Sequence, residues 1–420
     1  MSFKIRIART ITDVNPAAWD ACANPQIESD FNGLRPLPNS TSQALESFSQ
    51  GERFNPFITH AFLSALEASG SVGKGTGWTP AYVLIEDDNA TLQAAAPSYV
   101  KTNSQGEYVF DHGWAQAYER AGGRYYPKIQ VSVPFTPATG RRLLARTPEA
   151  EQQLISGLRA LRASVKASSL HLTFLEKTAA ERLTAAGFLP RNDQQFHFFN
   201  EGYTSFEDFL AALSSKKRKN IRRERKDAVS NDITIEQLTG DAIKEQHWDA
   251  FYQFYMDTGA RKWGQPYLTR QFFSEIGTTM PQRILLVMAK RNGRYIAGAI
   301  NFIGRDALYG RNWGAIEHHP FLHFELCYYQ AIDFAIARGL SRVEAGAQGE
   351  HKLARGYKPV ITYSAHDIAD PGLKRAVADY LEHERREVAE IATILGEHTP
   401  FKRHLQPETG SQAERDMYNE

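Results

Sequence analysis

An order of elements that occurs twice, strands followed by a helix and a further strand, limits the fold of this chain more than any single motif in it. In the first half, Ala81 to Glu86, Thr91 to Lys101 and Glu107 to Trp114 read as an antiparallel meander, divided by Asp87-Asp88-Asn89 and by Asn103-Ser104-Gln105-Gly106. Lys128 to Phe135 adds a strand, Glu149 to Lys166 an amphipathic helix, and Leu170 to Phe174 the strand after it. In the second half, Arg283 to Arg291 and Arg294 to Ile303 pair about a turn at Asn292-Gly293. Ala307 to Trp313 follows as a third strand, Glu325 to Arg338 as a helix ended by Gly339, and Ser341 to Ala345 as the last strand. Even the ends of the third strands correspond, Asp111-His112-Gly113-Trp114 in one half and Arg311-Asn312-Trp313-Gly314 in the other. The expectation is an α/β (α+β) protein of two related tandem domains, each a mixed, mostly antiparallel sheet flanked by helices. They occupy residues 1–200 and 201–400, divide near Asn200-Glu201-Gly202, and leave a polar tail at 401–420. The length of 420 residues agrees, because a single core seldom serves more than about 200.

Around this frame, Met1 to Arg9 alternates like a first strand, Asn15-Pro16 caps a short helix, residues 24–56 read as a long loop or lid, and Thr59 to Glu67 as a helix. The amino terminus lacks the unbroken apolar run of a secretory signal, and no window approaches the roughly 18 apolar residues of a membrane helix. Lys and Arg number 49 against 48 Asp and Glu, so no whole-protein field favours nucleic acid or membrane, and any such preference must be local. Cys22 and Cys327, far apart, suit a reducing compartment and supply neither a disulfide framework nor a thiolate metal site. A soluble, cytoplasmic protein is the expectation.

Three segments concentrate chemistry. Gly346-Ala347-Gln348-Gly349-Glu350-His351-Lys352-Leu353-Ala354-Arg355-Gly356-Tyr357 empties a strand into glycines, a carboxylate, an imidazole and two cations, as the rim of an active site would. Residues 215–226, Ser-Lys-Lys-Arg-Lys-Asn-Ile-Arg-Arg-Glu-Arg-Lys, place Arg218, Arg222 and Arg225 on one helical face suited to phosphate oxygens. His318, His319 and His323 precede Glu325, Tyr328 and Tyr329, but their intervals match no metal-binding helical pair and Pro320 interrupts them, so no metal is expected. Glu325 reads as a helix-start carboxylate and the tyrosines as a cleft wall.

Asn55 to Gly70, Phe324-Glu325-Leu326-Cys327-Tyr328-Tyr329-Gln330 and above all Gly346 to Lys352 resemble the FemAB-like N-acyltransferases, a branch of the GNAT superfamily, over about residues 10 to 395. The resemblance implies two tandem GNAT-like acyltransferase domains and transfer of an acyl or aminoacyl group to a primary amine, on a peptidoglycan precursor or a small acceptor. Acyl-CoA is then the expected co-substrate, with aminoacyl-tRNA as the alternative and no tightly bound cofactor. Two departures stand out: there is no long heptad insertion of the tRNA-dependent kind, and no Gln/Arg-x-x-Gly-x-Gly/Ala loop before residue 325. A GNAT-fold protein that binds without catalysing is a third possibility.

Such chemistry needs a neutral amine, a polarised carbonyl and a protonated leaving group. Glu350 or His351 is the candidate base, Tyr328 the candidate acid, and the backbone amides of Asn312 to Ala315 the oxyanion donors. Asn312, Trp313, Glu325, Gln348, Lys352 and Arg355 are candidate substrate-binding residues, with Lys352 and Arg355 holding a carboxylate or phosphate. The competing structural readings pair Glu350 with Arg355, make His351 a loop brace and bury Tyr328 in the core. The chemistry is expected in the second domain, with the first closing the cleft.

Overall fold

The computed structural model describes residues 2–25, 54–262, 266–346 and 349–402, so most of the expected lid at 24–56 and of the tail at 401–420 lies outside the described residues. Nine strands come from the first half: β1 Lys4–Ala8, β2 Trp78–Pro80, β3 Tyr82–Glu86, β4 Leu92–Ala96, β5 Ser98–Lys101, β6 Lys128–Val131, β7 Leu144–Ala145, β8 Ser169–Leu175 and β9 Leu189–Phe199, among the described residues. Six follow: β10 Ile233–Thr239, β11 Ile284–Arg291, β12 Arg294–Ile303, β13 Ala307–Ala315, β14 Arg342–Glu344 and β15 Lys358–Ile368. They form a four-stranded sheet, β1-β3-β4-β7, and an eleven-stranded one, β10-β11-β12-β13-β14-β9-β15-β8-β6-β5-β2. Helices flank both, in the mixed α/β class expected.

Local sequence accounts for much of this. β11 is buried along its first six residues, Ile284 to Ala289, because it is central and covered on both faces. Its hairpin to β12 turns at Asn292 and Gly293, whose φ values of +52° and +75° are those an Asn-Gly turn supplies. Pro97 divides the expected strand Thr91 to Lys101, since it has no N–H for a ladder, and the two pieces join different sheets.

One expected strand is absent. Glu107 to Trp114 forms no strand, and a helix begins at His112 and runs to Arg120. The alternation there comes from charges buried in pairs. Glu107 lies 3.2 Å from Lys128 and 3.5 Å from Lys101, and Asp111 lies 2.6 Å from Lys128. The expected correspondence between Asp111-His112-Gly113-Trp114 and Arg311-Asn312-Trp313-Gly314 therefore fails, one opening a helix and the other lying within β13.

The correspondence that does hold is between two parallel pairs, β6 with β8 and β13 with β14. Each is followed by one long strand, and those two strands are exchanged. β9, which follows β8 in sequence, pairs with β14, while β15, which follows β14, pairs with β8. β9 and β15 also pair with each other from Leu189↔His366 to His197↔Lys358, making one continuous sheet of both halves.

Within the β8/β15 seam, His171 and His366 are register partners whose Nδ1 atoms lie 2.7 Å apart. Burial lowers both imidazoles, His171 to about 3, with Lys128 adding to the shift and Asp111 opposing it. Both stay neutral in the fold and take a proton on unfolding once the pH falls below about 6.5, so stability falls from there downward. Each neutral imidazole then costs about 2 kcal/mol of stability at pH 5, and thermal denaturation at pH 7.5 and 5 is expected to show a drop that His366→Gln reduces. An unchanged drop in the variant contradicts this account of the seam.

Candidate active site

Parallel strands joined at only one end leave a gap where they diverge, and both parallel pairs do so. In the first half, residues 132–143 fold back into the gap beyond Val131 and Leu172. Gly140 N donates to Phe174 O at 3.0 Å, and the buried Arg142 donates from Nε to Thr173 O at 3.0 Å and from Nη2 to Ala138 O at 2.6 Å. In the second half the ladder ends at Tyr309↔Glu344, and β13 continues alone past β14 from Gly310 to Ala315. The register of β12 with β13 also shifts between Ala299 and Asn301, bulging β13 at Arg311 and Asn312.

A cleft of about 480 Å³ opens there, bounded by Gly310 to Trp313 on β13 and by Ala345, Gly346 and Gly349 beyond β14. Its far wall carries His323, Cys327, Tyr328, His351 and Lys352. The first half contributes from behind, because the Arg311 guanidinium donates to the Phe135 carbonyl across the junction.

Local backbone geometry aims these side chains. Glu325–Tyr329 is a π-helical turn between the turn Leu322–Phe324 and the helix Gln330–Arg338. A π turn widens the helix by one residue and is frequent at functional sites. Here it sends adjacent tyrosines to different partners. Tyr328 Oη and His351 Nε2 share a 2.8 Å hydrogen bond at the cleft, while Tyr329 Oη donates to Glu224. Burial raises both phenols, so Tyr328 keeps its proton near neutral pH.

Lys352 lines the cleft at 2% exposure, donating to Gly346 O at 3.0 Å. Burial lowers its ammonium to about 8. Arg355 faces away from the cleft: its guanidinium stacks 3.4 Å over Phe324, meets Glu224 at 3.0 Å and donates to the His351 carbonyl at 2.8 Å. It positions His351 from beneath. Its carboxylate partner is Glu224, on the helix of the basic segment. Gln348 lies outside the described residues, and Glu350 is described by its backbone alone.

The basic segment forms the helix Ser215–Ala228, with Ile221 and Ala228 buried. Helical spacing from those two positions carries Glu224 and Arg225 inward as well. Arg225 meets Glu325 at 2.9 Å and Asp333 at 2.7 Å, and burial raises Glu325 against the pull of that guanidinium. Arg225 and Glu325, expected at phosphate and substrate, are thus each other's partners. Arg222 pairs with Glu207 at the surface, Arg218 is half-buried, and Lys216, Lys219, Arg223 and Lys226 are exposed. Asn312, Trp313, Tyr328, His351 and Lys352 do come together. Cys327, which lies in the motif Phe324 to Gln330 without a role assigned from the sequence, joins them on the cleft wall.

With this geometry in view, the comparisons are specific about family. The FemAB-like profile, described as peptidoglycan biosynthesis/recognition, matches residues 10–403. No curated protein matches the sequence. Among solved structures, FemX is 12% identical with a TM-score of 0.48, over 76% of this chain and 93% of its own. L-PGS from Bacillus licheniformis is 10% identical with a TM-score of 0.47, over 83% and 99%. A tandem GNAT protein from the clavulanic acid biosynthesis pathway is 9% identical with a TM-score of 0.40, over 88% and 99%. The family match gives no support to a coenzyme A donor. Among the described residues, no helix is long and apolar enough to cross a membrane.

Two stability predictions follow from the placements. Arg225→Ala leaves Glu325 and Asp333 without their cation and is expected to cost about 2 kcal/mol in chemical denaturation, whereas Arg222→Ala at the surface costs under about 0.5. At Lys352, the folded amine loses its proton above about 8 while the unfolded one keeps it to about 10.5, so stability rises with pH across that window. Below it the full burial cost is present. Lys352→Met is therefore expected to raise stability at pH 7, by on the order of 3 kcal/mol, with the gain vanishing toward pH 10.5. A gain independent of pH would contradict the buried-ammonium account.

Proposed function

The chain belongs to the FemAB-like family of peptidoglycan biosynthesis/recognition proteins, and from that premise we propose that it is an N-acyltransferase, moving an acyl or aminoacyl group from an activated ester or thioester to a primary amine of a peptidoglycan-related acceptor. The observation that carries this reading is the Tyr328–His351 hydrogen bond in one cleft with Lys352 and with Gly310 to Trp313 of β13, beyond the end of its ladder with β14. We assign the chemistry to the second half, residues 201–400, and to the first half, residues 1–200, the backing of the cleft.

The carbonyl of the donor lies against β13 between Gly310 and Trp313, where backbone N–H groups meet the oxyanion as the amine adds. The amine gives its proton to Tyr328 Oη as that hydroxyl passes its own to His351 Nε2. Collapse of the tetrahedral intermediate reverses the relay, and the leaving oxygen or sulfur takes the proton from Tyr328. Lys352, held as a cation by a proton that leaves near pH 8, neutralises negative charge on the intermediate or on a substrate phosphate. Asn312 orients the substrate from the bulge. Arg355 acts through His351.

For the donor, the outward cations of the helix Ser215–Ala228 favour a polyanionic carrier, aminoacyl-tRNA ahead of acyl-CoA. Its inner face reaches the site through Glu224, which touches both Arg355 and Tyr329. Cys22 and Cys327 form no disulfide, which suits a cytoplasmic setting.

The test is amide formation followed by mass spectrometry, with purified protein, aminoacyl-tRNA or acyl-CoA, and amine-bearing peptidoglycan precursors. Tyr328→Phe and His351→Ala are expected to lower turnover by about 10² to 10⁴ with KM changed little. Turnover should fall above about pH 8 as Lys352 loses its proton, and Lys352→Arg should remove that limb. Retained turnover in both relay variants overturns the mechanism. Precursor binding without amide formation from either donor favours a recognition protein.

A further inference from the structure

Beside the cleft lies a second cavity of about 390 Å³, whose walls include Thr258, Ala315, Phe321, Leu322 and Phe324. Trp313 and His323 line both cavities and form the partition between them, their rings 4.9 Å apart. On the cleft side, His323 stands 5.5 Å from the Tyr328 ring and 6.1 Å from that of His351. The second cavity therefore begins where the proposed proton relay ends.

Three observations define what it accepts. Its interior surface is almost wholly apolar. Arg261, Glu317, His318 and His319 also border it, and the charges among them are engaged with other groups: Glu317 meets Arg291 at 2.8 Å and His319 at 2.9 Å, while Arg261 pairs with Asp257 and donates to Ala315 O at 2.9 Å. The third is backbone. Phe321 holds φ at +62°, a left-handed conformation that costs a bulky residue about 1–3 kcal/mol and that glycine would adopt freely. An aromatic ring is kept there at that cost, at the start of the turn Leu322–Phe324, and it forms part of the cavity wall.

We propose that this cavity receives the apolar portion of the group being transferred, so that the enzyme selects acyl or aminoacyl groups with a side chain of four or more carbons or an aromatic ring. The inference rests on the reading of the cleft as the site of acyl transfer. With the carbonyl against Gly310 to Trp313 and the amine approaching Tyr328, the carbonyl's remaining substituent has the Trp313–His323 partition before it. The pocket beyond offers a mostly apolar surface, with Arg261 and Glu317 on its border each held by an ion pair. Ala315 leaves the space open at the floor. Its own N–H is already bonded to Thr258 Oγ1 at 3.2 Å, so it takes no part in holding the carbonyl oxygen.

The experiment uses the full-length protein and a series of stable acyl amides, N-acetyl-, N-butanoyl-, N-hexanoyl- and N-phenylacetyl-ethanolamine, with dissociation constants from ligand-observed NMR. Each buried methylene is expected to tighten binding by about fourfold, so the four added from acetyl to hexanoyl tighten it by about 200-fold when all are buried. Ala315→Leu fills the floor and should abolish that gradient while leaving acetyl binding unchanged. Phe321→Gly removes the wall but relieves its backbone, so it should flatten the gradient without loss of thermal stability. A gradient that survives Ala315→Leu, or acetyl binding with no gradient, overturns the inference. Adenosine binding that Ala315→Leu blocks, with no acyl gradient, assigns the cavity to the carrier's base and also overturns it. A gradient together with no transfer of any acyl group overturns the catalytic reading and leaves the apolar pocket standing.

Discussion

A strand at the open side of a parallel pair needs a partner for its backbone groups, and in this chain β8 and β14 each take that partner from the other half. The exchange joins the two halves through their sheet: β9 reads in sequence as the end of the first and lies in space beside the end of the second. It also brings the halves into register. Because β9 and β15 run antiparallel from Leu189↔His366 to His197↔Lys358, the two diverging gaps occupy one sheet, and what happens at each can differ while the frame stays common.

The difference is a loop. In the first half, residues 132–143 enter the gap, and Arg142, buried with its guanidinium on backbone carbonyls, locks them there. In the second half the chain leaves β13 outward, turns at Phe321 and enters the π turn, so the gap remains a cleft. The basic helix then becomes part of the site's support. Its inward Glu224 holds Tyr329 and Arg355, and Arg355 holds the carbonyl of His351, so the imidazole facing the cleft is braced by a chain of contacts reaching the surface cations. In the proposed function, the polyanion-binding face and the support of the relay therefore belong to one helix.

Much of this was legible in the residues themselves. The Asn-Gly hairpin, the buried run of β11 and the helix stopped by Gly339 follow from local rules, and Gly346 to Lys352 marked the cleft because glycines and titratable groups seldom gather in a turn without use. The exchange was not legible, since nothing in the sequence of Leu189 to Phe199 or Lys358 to Ile368 says which half each strand will join. Glu107 to Trp114 misled for a different reason: its alternation reflects carboxylates paired with buried lysines, a pattern that hydrophobic periodicity does not distinguish from a half-buried strand. Arg225 and Glu325 were each assigned to a ligand because a sequence shows charge but not its partner, and here the partner of each is the other. Cys327 stood in the motif Phe324 to Gln330 and was passed over as a lone thiol.

The central claim is that transfer takes place at the second gap and not the first. Hydrogen exchange measured by mass spectrometry, with and without a phosphonate mimic of the tetrahedral intermediate, tests it most directly. The account predicts new protection of the amides from Gly310 to Trp313 and at Ala345 and Gly346, with none at residues 132–136 or 173–175. Protection confined to the first gap, or to neither, would contradict it.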